Sequence, residues 1–260
     1  MLKDKMTLVI NSCDKFSDLW DEHVRILNEN WSDREVETLL VTDRPTDRKL
    51  ERVRIFSAGE GQRMAAVLPE IRTEYVLITL DDYFPINKIY NDRLERLIGI
   101  MDAEGIDYLR LFSDPNSHKR FKDYKGLYEI PLDVNYAVNL YQGIWRRDFI
   151  EKTLGDSQTI WKYEVSLTPT ARQIEARCVL SKGKEFEILD VIRKGKLLHK
   201  ANRWLKSHGR SLPEREIISY KEELRIKIFS TGKKVLPKRL AVCVKNKLKK
   251  KGYVFFSDSV

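Results

Sequence analysis

The spacing of apolar positions changes along the chain, and the changes mark out its elements. Residues 7–12 (TLVINS) form a short apolar run that predicts a strand, and residues 15–30 then carry Phe16, Leu19, Trp20, Val24 and Leu27 three or four apart, the period of a helix. Residues 36–41 (VETLLV) predict a second strand and residues 53–56 a weaker third. Gly59-Glu60-Gly61 punctuates the chain, and residues 62–72, with Met64, Ala65, Val67, Leu68 and Ile71, read as the next helix. That helix leads into Tyr75–Leu80 (YVLITL), which runs without polar alternation and so predicts a strand buried on both faces in the middle of a sheet. Asp81 and Asp82 follow where that strand must emerge, and Pro85 ends it.

Beyond the acidic pair, Ile89, Leu94, Leu97, Ile98 and Met101 place a helix over residues 86–104, and YLRLF at 108–112 predicts another strand. Residues 113–125 are polar and rich in turn formers, the composition of a loop over a site. Residues 137–145 (AVNLYQGIW) predict a strand running into a short helix that ends near Leu154. Residues 164–176 predict a helix interrupted at Thr168-Pro169, and residues 187–193 a late strand. Strands alternating with helices predict an α/β fold, a mostly parallel central sheet flanked by helices, with one ligand-binding edge at the carboxyl ends of its strands. An acidic pair at that edge suits a divalent cation and phosphate, although an Asp there also serves as a helix cap.

Charge divides the chain in two. The net charge is +9, but residues 210–252 alone carry 14 basic and 4 acidic side chains, so the tail is near +10 and the rest near −1. This suggests a catalytic or binding domain over 1–209 and a basic helical extension over 210–260. Within the extension, residues 214–229 and 233–251 read as helices with basic faces. In the second of them Leu236, Leu240, Val244 and Leu248 recur every four residues amid lysines, the pattern of a helix lying in a membrane interface. Tyr253, Phe255 and Phe256 could insert beside it, so a membrane surface is an expected partner of residues 210–256; a dimerisation helix or a solvated tail would show the same pattern. Nucleic acid is not expected, because no finger, helix-turn-helix or aromatic RNA-binding motif is present. Three separated cysteines fit a reducing compartment. No apolar segment has the look of a signal or a membrane span, so the expected place is the cytoplasm, peripheral to the inner face of the cell membrane.

Five pieces in order carry a resemblance: Ile10-Asn11-Ser12-Cys13-Asp14, Val41-Thr42-Asp43, Leu80-Asp81-Asp82-Tyr83-Phe84, Tyr141-Gln142-Gly143-Ile144-Trp145 and Trp161-Lys162-Tyr163-Glu164. Together, over residues 6–205, they resemble nucleotide-sugar-dependent glycosyltransferases of the GT-A fold, of the kind encoded with bacterial capsule and lipopolysaccharide genes. The resemblance implies a hexosyltransferase-type enzyme. It would carry a sugar from a nucleoside diphosphate sugar to a hydroxyl of a growing, lipid-linked glycan, with Mn²⁺ or Mg²⁺. It also implies roles. Asp14 and Asp43 would face the nucleoside, Arg63 the diphosphate, and Lys194 and Lys196 the phosphates. Trp161 would line the acceptor pocket, with Glu164 as general base if the reaction inverts. The family's metal motif in many members is Asp-any-Asp, whereas here the acids are adjacent. Neighbouring side chains on extended backbone point to opposite faces, so Asp82 is expected to ligate the metal, with His199, while Asp81 orients water or ribose. Other classes remain open: an aspartyl phosphotransferase using Asp81, a nucleic-acid binder, or a non-catalytic scaffold.

Overall fold

A computed structural model describes residues 1–226 except 60, 62, 113–116, 156–158 and 214, together with the backbone but not the side chain of Trp161. The expected helix over 233–251 and its membrane contact lie outside the described residues. The chain divides into two compact units, Met1–Val191 and Ile192–Val260.

In chain order the first unit comprises α1 (Leu2–Lys5), β1 (Met6–Asn11), α2 (Trp20–Asn30), β2 (Thr38–Thr42), β3 (Arg54–Ser57), α3 (Arg63–Val67), β4 (Tyr75–Leu80) and β5 (Tyr83–Pro85). It continues with α4 (Asn91–Glu104), β6 (Tyr108–Arg110), β7 (Leu127–Glu129), β8 (Gly143–Arg146), α5 (Arg147–Leu154), α6 (Ile160–Gln173), β9 (Cys178–Ser181) and β10 (Ile188–Asp190). Eight strands make one sheet in the order β3-β2-β1-β4-β8-β6-β9-β7. β1 to β4 pair in parallel, β8 runs against both β4 and β6, and β9 is parallel to β6. This is the α/β architecture expected, a mostly parallel sheet with helices on both faces. β1 and β4 sit at its centre, in register from Met6 against Tyr75 to Asn11 against Leu80.

Alternation along these strands sends side chains to two separate cores. Leu8, Ile10 and Leu77 meet Trp20 and Leu27 of α2 and Leu94, Leu97 and Met101 of α4. On the opposite face Val9, Val76 and Ile78 meet Met64 of α3, Phe149 of α5, and Tyr163 and Leu167 of α6. Both faces are covered, which is why β1 and β4 read as unbroken apolar runs. Each fully buried aliphatic side chain stabilises the fold by roughly 1.5–3 kcal/mol before entropy is counted.

Several boundaries differ from expectation for physical reasons. The helix expected from residue 86 begins at Asn91, because the amides of Ile86 and Ile89 donate to Glu187 O and Asn30 O at 3.0 and 2.8 Å. Residues 137–142 are not a strand; Asn139 draws the backbone of Tyr136 and Tyr141 to its own amide group, a local alternative to ladder pairing. β8 therefore starts at Gly143, where no other residue fits: a Cβ there would lie 2.9 Å from the Tyr108 ring and 3.0 Å from Leu109 O. α6 begins at Ile160 rather than 164 and runs through Pro169, held by the burial of Tyr163, Leu167 and Ala171 despite the lost amide donor. β5, β7 and β9 were not foreseen.

The second unit holds β11 (Ile192–Arg193), β12 (Lys196–Leu197) and α7 (His199–Ser207). Lys194 and Gly195 join the two strands with φ of +53° and +77°, a two-residue turn that accommodates left-handed backbone at both positions. The backbone is helical again at 220–226. Among the described residues no helix is long and apolar enough to cross a membrane.

Candidate active site

The carboxyl ends of β1 and β4 open into a cleft of about 300 Å³. Its lining comes from five separate parts of the first unit: Asn11 at the end of β1 with Ser12 and Cys13 after it, Arg63 at the start of α3, Asp81 and Asp82 after β4, Leu140 and Tyr141 before β8, and Ile160 and Glu164 of α6. Phe16, Leu80, Leu140 and Ile160 make much of the lining apolar, with Arg63, Asp81, Asp82 and Glu164 as the charged groups among them, the composition of a site that orients a polar ligand.

The two acids of the pair meet different surroundings. Asp81 is only 6% exposed. Its Oδ2 accepts a short hydrogen bond from the Ser12 hydroxyl, and Ser12 Oγ in turn accepts the indole N–H of Trp20 at 2.7 Å. Behind it, His23 Nδ1 donates to the Asp81 carbonyl at 2.9 Å, and the imidazole stands edge-on to Phe84. Burial pushes the Asp81 carboxyl up to about 7, against the Ser12 hydrogen bond, the backbone N–H of Asp82 and the charge of Arg63, which favour ionisation. Burial likewise pulls His23 down to about 4, so the ring is neutral. Asp82 is half-buried in the cleft, and its backbone carbonyl accepts from Val191 N–H at 2.9 Å, which anchors the turn after β4.

Across the cleft, the position of Glu164 follows from a cap. Thr159 Oγ1 accepts the Lys162 amide at 3.2 Å and fixes the start of α6, so Ile160 and Glu164, four residues apart, face the cleft together. Burial raises the Glu164 carboxyl above its usual range, and a hydrogen bond from the Leu140 backbone only partly offsets this. Trp161 lies in the same first turn, its side chain outside the described part of the structure.

Asp14 and Asp43 lie beside each other at the ends of β1 and β2. Asp43 Oδ1 accepts the Asp14 amide at 2.7 Å and the Thr42 hydroxyl at 3.3 Å, and Arg44 stands 3.9 Å from the Asp14 carboxylate. Burial acts to raise Asp43, but these hydrogen bonds and the charge of Arg63 outweigh it and hold the carboxyl below its usual value. Arg63 thus acts electrostatically on both Asp43 and Asp81.

The remaining candidates belong to the second unit. His199 stacks on Tyr220 with ring centres 3.8 Å apart, its Nε2 3.9 Å from the Glu223 carboxylate. Lys196 forms ion pairs with Glu216 at 2.8 Å and Glu222 at 3.7 Å, and Lys194 is exposed at the turn.

Among the described residues no group of three His, Cys, Asp or Glu side chains is placed to hold a metal ion by itself. The donors at the cleft are nonetheless oxygen atoms, Asp82 first among them. Mg²⁺ is commonly held by one or two carboxylates together with substrate phosphate and water, so Asp82 fits a hard cation that arrives with a phosphorylated ligand.

Sequence reasoning did not single out Ser12, Trp20 and His23 as a set around Asp81. Trp20 and His23 are three apart on α2, a spacing that puts both on one face, but which loop that face would meet is a tertiary fact.

No protein-family model matches this sequence, and no curated protein matches it. Similar solved structures include TarS of S. aureus, residues 1–349, at 16% identity and a TM-score of 0.44 over 70% of this chain and 59% of that one; the same protein has been solved in complex with UDP. The mannosyltransferase PcManGT from Pyrobaculum calidifontis, in complex with GDP-Man and Mn²⁺, is 11% identical with a TM-score of 0.48 over 98% of this chain and 82% of that one. The bifunctional IspDF from Campylobacter jejuni is 12% identical with a TM-score of 0.45 over 72% and 52%. This chain therefore spans less than two thirds of TarS 1–349 and of IspDF. These likenesses assign no activity.

Proposed function

We propose that this chain is a nucleotide-sugar-dependent glycosyltransferase that moves a sugar from a nucleoside diphosphate to a hydroxyl of a glycan acceptor. The observation that carries it is the convergence, in one cleft at the carboxyl edge of the sheet, of Asp82, Arg63 and Glu164 from segments far apart in sequence. Asp14 and Asp43 flank the ends of β1 and β2, where carboxylates can accept hydrogen bonds from ribose or base. Arg63 supplies positive charge for the diphosphate. Asp82 would hold Mg²⁺ or Mn²⁺, which when bound neutralises charge on the departing diphosphate. Glu164, raised by burial toward working pH, takes the proton from the attacking hydroxyl, which places the acceptor on the α6 side. With Glu164 as general base the proposed transfer inverts.

Thermal unfolding with a panel of nucleoside diphosphates and nucleotide sugars, each with and without Mn²⁺, tests the proposal. One nucleotide at a hundredfold excess over its Kd adds about 2.7 kcal/mol of stability. That shift should require Mn²⁺ and be lost in Asp82→Ala, whose unfolding without ligand stays cooperative. A folded protein that no nucleotide stabilises would end the transferase reading.

A further inference from the structure

Three neighbouring strands each deliver one aromatic residue to the same edge of the sheet. β4 is followed by Tyr83, β6 by Phe112, and the antiparallel β8 is preceded by Tyr141, so all three rings emerge at the carboxyl end of β4. They form a row: the ring centres of Tyr83 and Tyr141 are 6.0 Å apart and those of Tyr141 and Phe112 5.6 Å, with tilts of 41° and 46°. Tyr83 is buried, Tyr141 lines the cleft, and Phe112 is 42% exposed. The row thus leads from the acidic pair outward to solvent.

Its backbone is fixed. Leu111 N–H donates to Gln142 O at 3.0 Å, the buried Gln142 side chain donates to Phe186 O, and Asn139 Oδ1 accepts the Tyr141 amide at 3.1 Å. Phe112, in contact with a second ring that lines the cleft, extends the cleft's aromatic wall outward from Tyr141.

We propose that Tyr141 and Phe112, backed by Tyr83, form the platform on which a pyranose ring of the acceptor is held, its C–H face against the aromatic faces. This rests on the transferase reading given above and names the acceptor's contact surface. The order of the sheet selects the occupant. Asp43 and Asp14 stand at the ends of β2 and β1, on one side of the acidic pair, while Tyr141 and Phe112 stand at β8 and β6, on the other. A nucleobase stacked on Phe112 would put the nucleoside at the end of the cleft away from those carboxylates. A sugar fits, because its C–H faces are weakly positive and meet the negative ring face, as other aromatic contacts do.

The probes are methyl glycosides of glucose, galactose and N-acetylglucosamine, their β-linked disaccharides and octyl glucoside, observed by saturation-transfer NMR on the full chain without nucleotide. Ring C–H signals of at least one glycoside should be saturated, and Phe112→Ala should weaken its binding about tenfold. Phe112→Trp should restore it, and the Mn²⁺-dependent nucleotide shift should be the same in both variants. Equal binding by wild type and Phe112→Ala, or none by any glycoside, overturns the platform. So does saturation confined to the alkyl chain of octyl glucoside, which assigns the row to a lipid tail. A protein that binds nucleotide but no glycoside loses the platform and keeps the transferase reading; one that binds glycoside through Phe112 but no nucleotide keeps a sugar surface and loses the transferase.

Discussion

Asp81 and Asp82 are neighbours in sequence and both line the cleft, yet the first is almost wholly buried and tied into the fold while the second is only half-buried. On the Asp81 side, Trp20, Ser12 and His23 close a network of short hydrogen bonds under a buried carboxyl. On the Asp82 side, a cleft faces Arg63 and the half-buried Glu164. The hydrogen bonds on the Asp81 side belong to the fold, whereas the Asp82 side carries the charges proposed above to meet a ligand. Substitutions on the two sides should therefore fail in different assays.

The largest effect is expected on the open side. Glu164→Gln keeps the shape and the hydrogen bond from Leu140 but cannot take a proton, so kcat should fall about 10³-fold. Nucleotide affinity should be unchanged. In the wild type, activity should decline as pH drops through the raised pKa of Glu164, and this limb should vanish in the variant. A variant with wild-type kcat would remove Glu164 from the chemistry and move the acceptor hydroxyl elsewhere.

A smaller effect, on stability, belongs to the closed side, and two groups there pull against each other. Asp81 has a folded pKa of about 7 against an ordinary 3.8, so the folded state binds the extra proton; the stability this gives is full below 3.8 and is lost as pH rises to 7. His23 is lowered from 6.5 to about 4, so its contribution is full above 6.5 and is lost as pH falls to 4. The Asp81 window is worth about 4 kcal/mol and the His23 window about 3 kcal/mol, and between pH 4 and 6.5 their opposite slopes largely cancel. Relative to wild type, Asp81→Asn should gain stability as pH rises from 4 to 7, and His23→Gln should gain it as pH falls from 6.5 to 4. Denaturant midpoints across pH read both differences. Parallel profiles for all three proteins would mean that neither group changes its pKa on folding.

The same contrast explains what could be read from the sequence. β1, β2 and β4 are covered on both faces, so burial leaves an unbroken apolar run as its trace, and the strand-end position of the acidic pair follows from it. β7 and β9, of three and four residues, are too short to show any period, and the reversed direction of β8 has no local signature at all. The edge of the sheet beyond β8 was therefore hidden, and with it the row formed by Tyr83, Tyr141 and Phe112. Glu164 could be singled out as a residue, but its cleft-facing position depends on the cap at Thr159, outside the span where the helix was expected. Lys196 read as a phosphate contact and His199 as a metal ligand after a late strand, whereas their carboxylate neighbours Glu216, Glu222 and Glu223 come from some twenty residues later and were invisible to local pattern.

The smallest effect tests the closed network at its middle. Ser12 is the one group that serves both neighbours, accepting from Trp20 and donating to Asp81. Ser12→Ala removes both bonds in a region where Trp20 is fully buried. An orphaned buried donor or acceptor costs about 1–3 kcal/mol. Two orphans give less than the sum here, because Asp81 can stay protonated below its pKa and lose little; a net loss of about 2 kcal/mol is expected near pH 5. At pH 8 the carboxylate must ionise without its donor, so the loss should grow. That dependence separates a hydrogen-bond network from simple packing, since a missing hydroxyl in an apolar contact would cost the same at both values. A pH-independent loss would leave Trp20 and Ser12 as a packing pair and take Asp81 out of the network.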